Sequence, residues 1–318
     1  MQQIQWYPGH MHKASKEMKQ LLPEVDMIIE VLDARIPFSS ENPMIRSIRG
    51  DKPCIKVLSK SDLADPERTL QWQHYLEQEQ GVKTLAITTE EPSKALQIID
   101  LCRKMLPEKD QGVKSINAMI MGIPNVGKST LINTLAGRII AKTGNEPAVT
   151  KGQQRINLRN GIVLHDTPGV LWANLENRNT GYRLATTGAI KDTAIEHDDI
   201  AFFAAEFLLE NYPKMVSERY GIAELPDAHS PSPALELLEL IGARRGCLGA
   251  GGRVDLDKVS KILLTELRAG TIGRLTLETP TEMEREMAEL EVIRAEKAEK
   301  KAARKQRRQG SRNRNKPS

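Results

Sequence analysis

Through roughly the first 170 residues, short apolar runs of β type alternate with stretches whose apolar residues recur at helical intervals. That alternation predicts an α/β domain with a largely parallel sheet flanked by helices, because strands joined through helices cross over and pair in the same direction. The expected strands are Met27 to Asp33, Cys54 to Ser59, Thr84 to Thr88, Asn117 to Gly122 and Ile162 to Asp166. The expected helices between them are Lys13 to Leu22, Pro66 to Gln80, Ser93 to Leu106 and Lys128 to Leu135. After about Trp172 the strand signal fades, and Asp198 to Tyr212, Ala234 to Ile241 and Asp255 to Ala269 carry helical spacing. A smaller all-helical domain is therefore expected. Gly249 to Gly252 lacks the Lys and Ser of a phosphate loop and reads as a structural turn. From Pro280 the chain is charged and Ala-rich, then rich in Gln, Arg and Asn, which predicts a solvated helix fraying into disorder. The expected parts are 1–176, 177–280 and 281–318.

Charge sharpens this division. The net charge of +4 conceals a stretch from Arg294 to Ser318 that carries +9, leaving −5 on the rest. A mildly acidic body with a basic tail suits a partner rich in phosphate, bound without sequence preference because no aromatic is interleaved among the basic residues. A charge run of this kind also serves merely to solubilise. The apolar stretch Ala201 to Leu209 is interrupted by Glu206 and is far shorter than the roughly 20 residues of a membrane helix, so no membrane partner is expected. The first residues do not resemble a signal peptide. Cys54, Cys102 and Cys247 show no metal-ligand spacing and suit reduced thiols in a cytoplasm.

Gly122-Ile123-Pro124-Asn125-Val126-Gly127-Lys128-Ser129 fits GxxxxGK[ST], between an apolar strand and a helical pattern. Backbone N–H groups in such a loop close on phosphates at a helix N-terminus, with the lysine neutralising the β- and γ-phosphates and the serine hydroxyl ligating Mg²⁺. Asn125, Val126, Gly127, Lys128, Ser129 and Thr130 are the expected phosphate cradle. About 40 residues on, Asp166-Thr167-Pro168-Gly169 ends the next strand, where Asp166 is expected to hold Mg²⁺ and the Gly169 amide to sense the γ-phosphate. Thr150 is a candidate Mg²⁺ ligand in the loop between them.

A base-reading motif stands upstream. Ser59-Lys60-Ser61-Asp62 follows an apolar strand and fits NKxD except that Ser59 replaces Asn. Asp62 is expected to accept from guanine while the Lys60 stem covers the base; a helix N-cap is the other role open to Asp62. This motif precedes the phosphate loop, the reverse of the usual order, so the G domain is expected to be circularly permuted. Such a permutation places an appended domain where it would feel the nucleotide state. Ser59 also permits an ATPase, which Asp62 disfavours.

With these motifs in hand, the chain resembles the YlqF/RbgA family of circularly permuted ribosome-biogenesis GTPases. The resemblance extends to about Pro280 and includes Gln5-Trp6-Tyr7-Pro8-Gly9-His10-Met11, Asp33-Ala34-Arg35-Ile36-Pro37 and Arg268-Ala269-Gly270-Thr271-Ile272-Gly273-Arg274. It implies a cytoplasmic GTP hydrolase that binds a late precursor of the large ribosomal subunit and its rRNA, not DNA, and is monomeric when free. Ser59 for Asn, Ala148 for Gly and Thr88-Thr89 for Ser-Ala depart from the pattern.

Val170 occupies the position after DxxG where many GTPases carry a water-orienting Gln. The family implies that His10 supplies the missing group, since a neutral imidazole can position water at cellular pH; the alternative is that Trp6-Tyr7-Pro8 latches the N-terminus while His10 only hydrogen-bonds there. Asn125 resembles the asparagine with which related GTPases hold K⁺, a second expected ion. His165 reads as a packed core residue and His197 as a helix-start feature. The rival function is an RNA-binding scaffold that senses GTP without significant turnover, which Val170 favours and intact Lys128, Ser129 and Asp166 oppose.

Overall fold

All five expected strands form, and a sixth, short one joins them at the sheet edge. In chain order they are β1 (Met27–Asp33), β2 (Cys54–Ser59), β3 (Val82–Ala86), β4 (Ile116–Gly122), β5 (Gln154–Asn157) and β6 (Ile162–Asp166). The computed structural model describes residue 4 and residues 6–109, 115–141, 154–172, 175–227 and 229–314. The sheet order is β3-β2-β1-β4-β6-β5, parallel throughout except for β5, which runs antiparallel to β6. β1 and β2 are buried along their whole length, as central strands covered on both faces must be.

β3 begins two residues earlier than expected. Its register against β2 runs from Cys54 opposite Val82 to Leu58 opposite Ala86, after which the chain bends away and Ser61 N–H donates to the Ile87 carbonyl. β5 has no apolar run to announce it, since Ile156 is its sole buried residue. Antiparallel pairing with β6 makes it a strand.

α1 (Gly9–Leu21) precedes the first strand, and helices occupy the connections between strands: α2 (Pro43–Ile48), α3 (Pro66–Leu76), α4 (Pro92–Met105) and α5 (Lys128–Ala136). Their starts follow capping chemistry. Asn42 caps α2 by accepting from Met44 N–H, and Asp65 caps α3 by accepting from Glu67 and Arg68 N–H, each ahead of a proline in the first turn. Asp65 therefore fills the cap role that the sequence also left open for Asp62.

Beyond β6 come α6 (Arg178–Thr186), α7 (His197–Asn211), α8 (Pro213–Tyr220), α9 (Pro233–Arg244) and α10 (Leu256–Arg268). Asn177 caps α6. Leu208, Leu237, Leu238 and Leu263 are wholly buried where α7, α9 and α10 pack on one another. Two residues bind these helices to the sheet, the partly exposed Arg268 and the buried Glu278. The Arg268 guanidinium at the end of α10 donates to the carbonyls of Ala185 and Thr186, and its own carbonyl accepts from Arg35 beyond β1. Glu278, fully buried, accepts from Phe38 and Ser39 N–H and the Ser39 hydroxyl and faces Arg183 on α6.

The chain divides into two compact units, Met1–Glu278 and Thr279–Ser318. The second holds one helix, α11 (Pro280–Arg314), where a solvated helix was expected. It opens with a capping box: the Glu282 carboxylate accepts from Thr279 N–H, and the Thr279 hydroxyl accepts from Glu282 N–H. Among the described residues, no helix is long and apolar enough to cross a membrane.

Candidate functional site

The chain runs β1, β2, β3 to one side of the sheet and then returns to lay β4 on the other side of β1. Ligands in open α/β sheets bind at the carboxyl ends of strands where the order reverses in this way. All three sequence motifs end there: the base motif after β2, the phosphate loop after β4 and Asp166-Thr167-Pro168-Gly169 after β6. The permuted connectivity thus assembles one site from segments more than sixty residues apart.

Backbone geometry explains the residues of the phosphate loop. A Cβ on Gly122 would lie 2.7 Å from the Val31 carbonyl oxygen and 2.8 Å from Val126 Cγ1, so the loop can lie against β1 only with glycine there. Gly127 has φ +95°, a conformation glycine adopts without strain. α5 then begins at Lys128, directing its N-terminal N–H groups and positive dipole end toward the loop.

Lys128 is buried and ion-paired with Asp166 Oδ1. Burial lowers the lysine pKa and raises that of the aspartate, and their mutual attraction opposes both shifts. Asp166 Oδ2 is buried without a hydrogen-bond partner. An unsatisfied oxygen on the carboxylate paired with Lys128, the residue next to the half-buried Ser129, suits a hydrated divalent cation. The following segment is stitched to β4: Thr167 N–H and hydroxyl both reach the Ile120 carbonyl, and Val170 N–H donates to Gly122 O. Gly169 lies against Pro124, where a Cβ would stand 3.1 Å from the Pro124 N and Cα atoms.

On the base side, Ser59, Lys60, Thr88, Gly127 and Thr130 line a common cleft. The Ser59 hydroxyl lies 2.8 Å from the Leu32 carbonyl and 2.5 Å from that of Val126, so this short residue does brace the base strand against the phosphate loop. Lys60 adopts φ +56° and its ammonium sits 3.0 Å from Asp33 Oδ2. Asp33 in turn holds Arg35 through both carboxylate oxygens, at 2.9 and 2.8 Å. Burial alone would raise the Asp33 pKa, but Arg35 and Lys60 beside it hold the carboxyl well below the usual range. Asp62, half-buried, follows in the same turn.

Asp33 and Arg35 are absent from the expected site, although a carboxylate closing a wholly buried strand was a legible signal. Arg268 and the contact of Asn125 with the helices were not legible. Asn125, at φ +59°, donates from Nδ2 to the Gly188 carbonyl just beyond α6, a pairing that depends on tertiary packing.

Other expected residues fall outside this assembly. His10 is exposed on the first turn of α1, and among the described residues no hydrogen bond or ion pair holds it. Ile4, Trp6 and Tyr7 pack against the core, and the Tyr7 hydroxyl meets Ser15 Oγ at 2.9 Å. Thr150 lies outside the described residues. His165 contacts Asn117, and burial lowers its pKa; His197 begins α7 and lies 4.0 Å from Asp192. Val170 is buried, with no side-chain group to orient water.

A family model described as "50S ribosome-binding GTPase" matches residues 117–215. It starts at β4 and omits Ser59 to Asp62, as the permuted order requires. A protein named ribosome biogenesis GTPase A from Priestia megaterium is 47% identical over 289 residues, covering 88% of this chain and 98% of the relative. Its namesake from Thermotoga maritima is 31% identical over 280 residues, covering 88% and 96%. Among solved structures, GNP-bound YlqF from Thermotoga maritima superposes with a TM-score of 0.58 at 29% identity, covering 84% of this chain and 98% of that one. A GDP-bound YlqF structure matches with the same TM-score and identity, covering 83% and 99%.

Proposed function

Because the chain belongs to the ribosome biogenesis GTPase A family, we propose that it binds a late precursor of the large ribosomal subunit through rRNA and hydrolyses GTP as that particle matures. It is a GTPase of ribosome assembly. The observation that carries the chemistry is the Lys128–Asp166 pair with its unsatisfied Oδ2, set between the phosphate loop and the segment that senses the γ-phosphate.

On this reading Lys128 leaves Asp166 to neutralise the β- and γ-phosphates. Asp166 and Ser129 would hold Mg²⁺, which would supply charge neutralisation to the phosphates, and Thr150 would complete the set from the first switch. Gly169 reports the γ-phosphate, Asp62 accepts from guanine, and the Lys60 stem, positioned by Asp33, covers the base. His10 orients the attacking water, since Val170 has no group to do so. An N-terminal segment anchored through Trp6 and Tyr7 leaves His10 exposed, so the particle itself can complete the site. Asn125 is the residue for K⁺, whose positive charge would stand in for an arginine finger worth about 10³ to 10⁵ in rate. Residues 1–176 carry the nucleotide, 177–280 feel its state, and the basic residues of 281–318 meet RNA, in a cytoplasmic protein monomeric when free.

The test is GTP hydrolysis in K⁺ buffer with and without purified large subunits, comparing wild type with His10→Ala. Subunit-dependent stimulation that His10→Ala loses while binding persists is the expected result. Binding without stimulation removes the triggered mechanism, and no binding removes the ribosomal partner.

A further inference from the structure

An open cavity of about 500 Å³ lies at the sheet edge, between the end of α5 and β5. Arg138, Arg155 and Arg159 line it together with Asn157 and Ile139, and among the described residues no carboxylate does. Among the described residues none of the three guanidinium groups has an acidic partner. This is unlike the buried arginines Arg35, Arg49 and Arg183, which face Asp33, Glu79 and Glu278.

The cavity is built on firm ground. The Asn133 side chain on α5 accepts from Ile140 and Ala141 N–H and donates to the Ala141 carbonyl, pinning the segment that carries Arg138. The opposite wall is the β5–β6 hairpin, whose turn holds Arg159 at φ +61°. A left-handed conformation favours Gly, Asn or Asp, so the local fold does not explain an arginine there. Ile139, 92% exposed between the arginines, offers an apolar surface to a sugar or base.

We propose that this cavity is an RNA phosphate site, separate from the basic tail, that receives the sugar–phosphate backbone of rRNA. Guanidinium forks match phosphate oxygens in geometry and charge. The inference rests on the ribosomal reading above and adds the place where RNA meets the G domain.

The test uses full-length Arg138→Gln/Arg155→Gln/Arg159→Asn, with Asn chosen because it tolerates the left-handed turn. Affinity for purified large subunits is measured from about 50 to about 200 mM salt. The slope of log affinity against log salt is expected to become shallower by about 2 to 3, with binding at least about 10-fold weaker. GTP affinity and basal turnover should remain those of wild type, and thermal stability unchanged or raised. If wild type binds and the triple variant shows the same slope, the site is wrong and the ribosomal reading stands. If wild type does not bind, both fall. A change in stability with an unchanged slope would mean that the arginines serve the fold, and would also overturn the site. Should the triple variant not fold, Arg155→Gln alone is expected to reduce the slope by about 1.

Discussion

Ser59 Oγ lies 2.5 Å from the carbonyl oxygen of Val126, sixty-seven positions away in the chain. One hydroxyl at the end of β2 thereby ties the turn after β2 to the phosphate-loop motif after β4. An asparagine is the common residue at this point in G domains; here the shorter serine reaches the carbonyls of both Leu32 and Val126 from a buried position.

Ser59→Ala leaves the Leu32 and Val126 carbonyls without this donor. A lost buried hydrogen bond costs about 1 to 2 kcal/mol, so a comparable fall in unfolding free energy is expected, together with weaker binding of GTP and GDP alike. Nucleotide affinity by fluorescence titration checks this. Unchanged affinity for both nucleotides would show that the brace has no part in the site.

Lys128→Ala strands Asp166 in a buried setting without its cation. Breaking a buried pair by removing one partner costs about 3 to 5 kcal/mol, and destabilisation of that order is expected in the nucleotide-free protein. Adding Asp166→Asn should restore much of the stability without restoring GTP binding. Denaturation of the four proteins, as a double-mutant cycle, separates these two effects.

Asp33→Asn removes the charge that positions both Arg35 and Lys60. Since the Asp33 carboxyl is held below its unfolded value, its contribution to stability is present above the ordinary carboxylate pKa and is lost as pH falls through the lowered one. The variant should therefore be less stable than wild type at pH 7, and the difference should shrink in acid. Its GTP affinity should fall as well, read out by the same titration.

Glu30 provides the opposite pH dependence. Fully buried in β1, its carboxyl is pushed up to about 8 by burial and by the nearby Glu41, and it accepts from Asn42 N–H. The folded state keeps the proton that the unfolded chain gives up above about 4.5, so stability falls as pH rises from there to about 8. Glu30→Gln keeps the acceptor and abolishes the titration. It should be more stable than wild type near pH 8, and the gap should grow by up to about 1.4 kcal/mol per pH unit across that window. Thermal unfolding across pH measures it.

The local chemistry was legible residue by residue. An apolar run followed by Gly122 to Ser129 specifies strand, phosphate loop and helix, because backbone sterics and the need to cradle an anion act within a dozen residues. The same holds for β1, β2 and β6, whose expected bounds match those formed. Elements whose stability is borrowed from neighbours were not legible. β5 is a strand through its pairing with β6, and α2 and α6 are too short and too polar to show a helical period.

By itself, then, the sequence determined the strands, the phosphate-loop motif and the motif after β2, and their permuted order. Only the tertiary structure decided what positions them. The Ser59–Val126 brace, the Asp33–Arg35–Lys60 cluster, the Asn125–Gly188 contact and the grip of Arg268 on α6 join residues from 2 to 83 positions apart. Hydrogen bonds and ion pairs depend on distance in space, and that distance is set by how strands and helices pack, which no local pattern records.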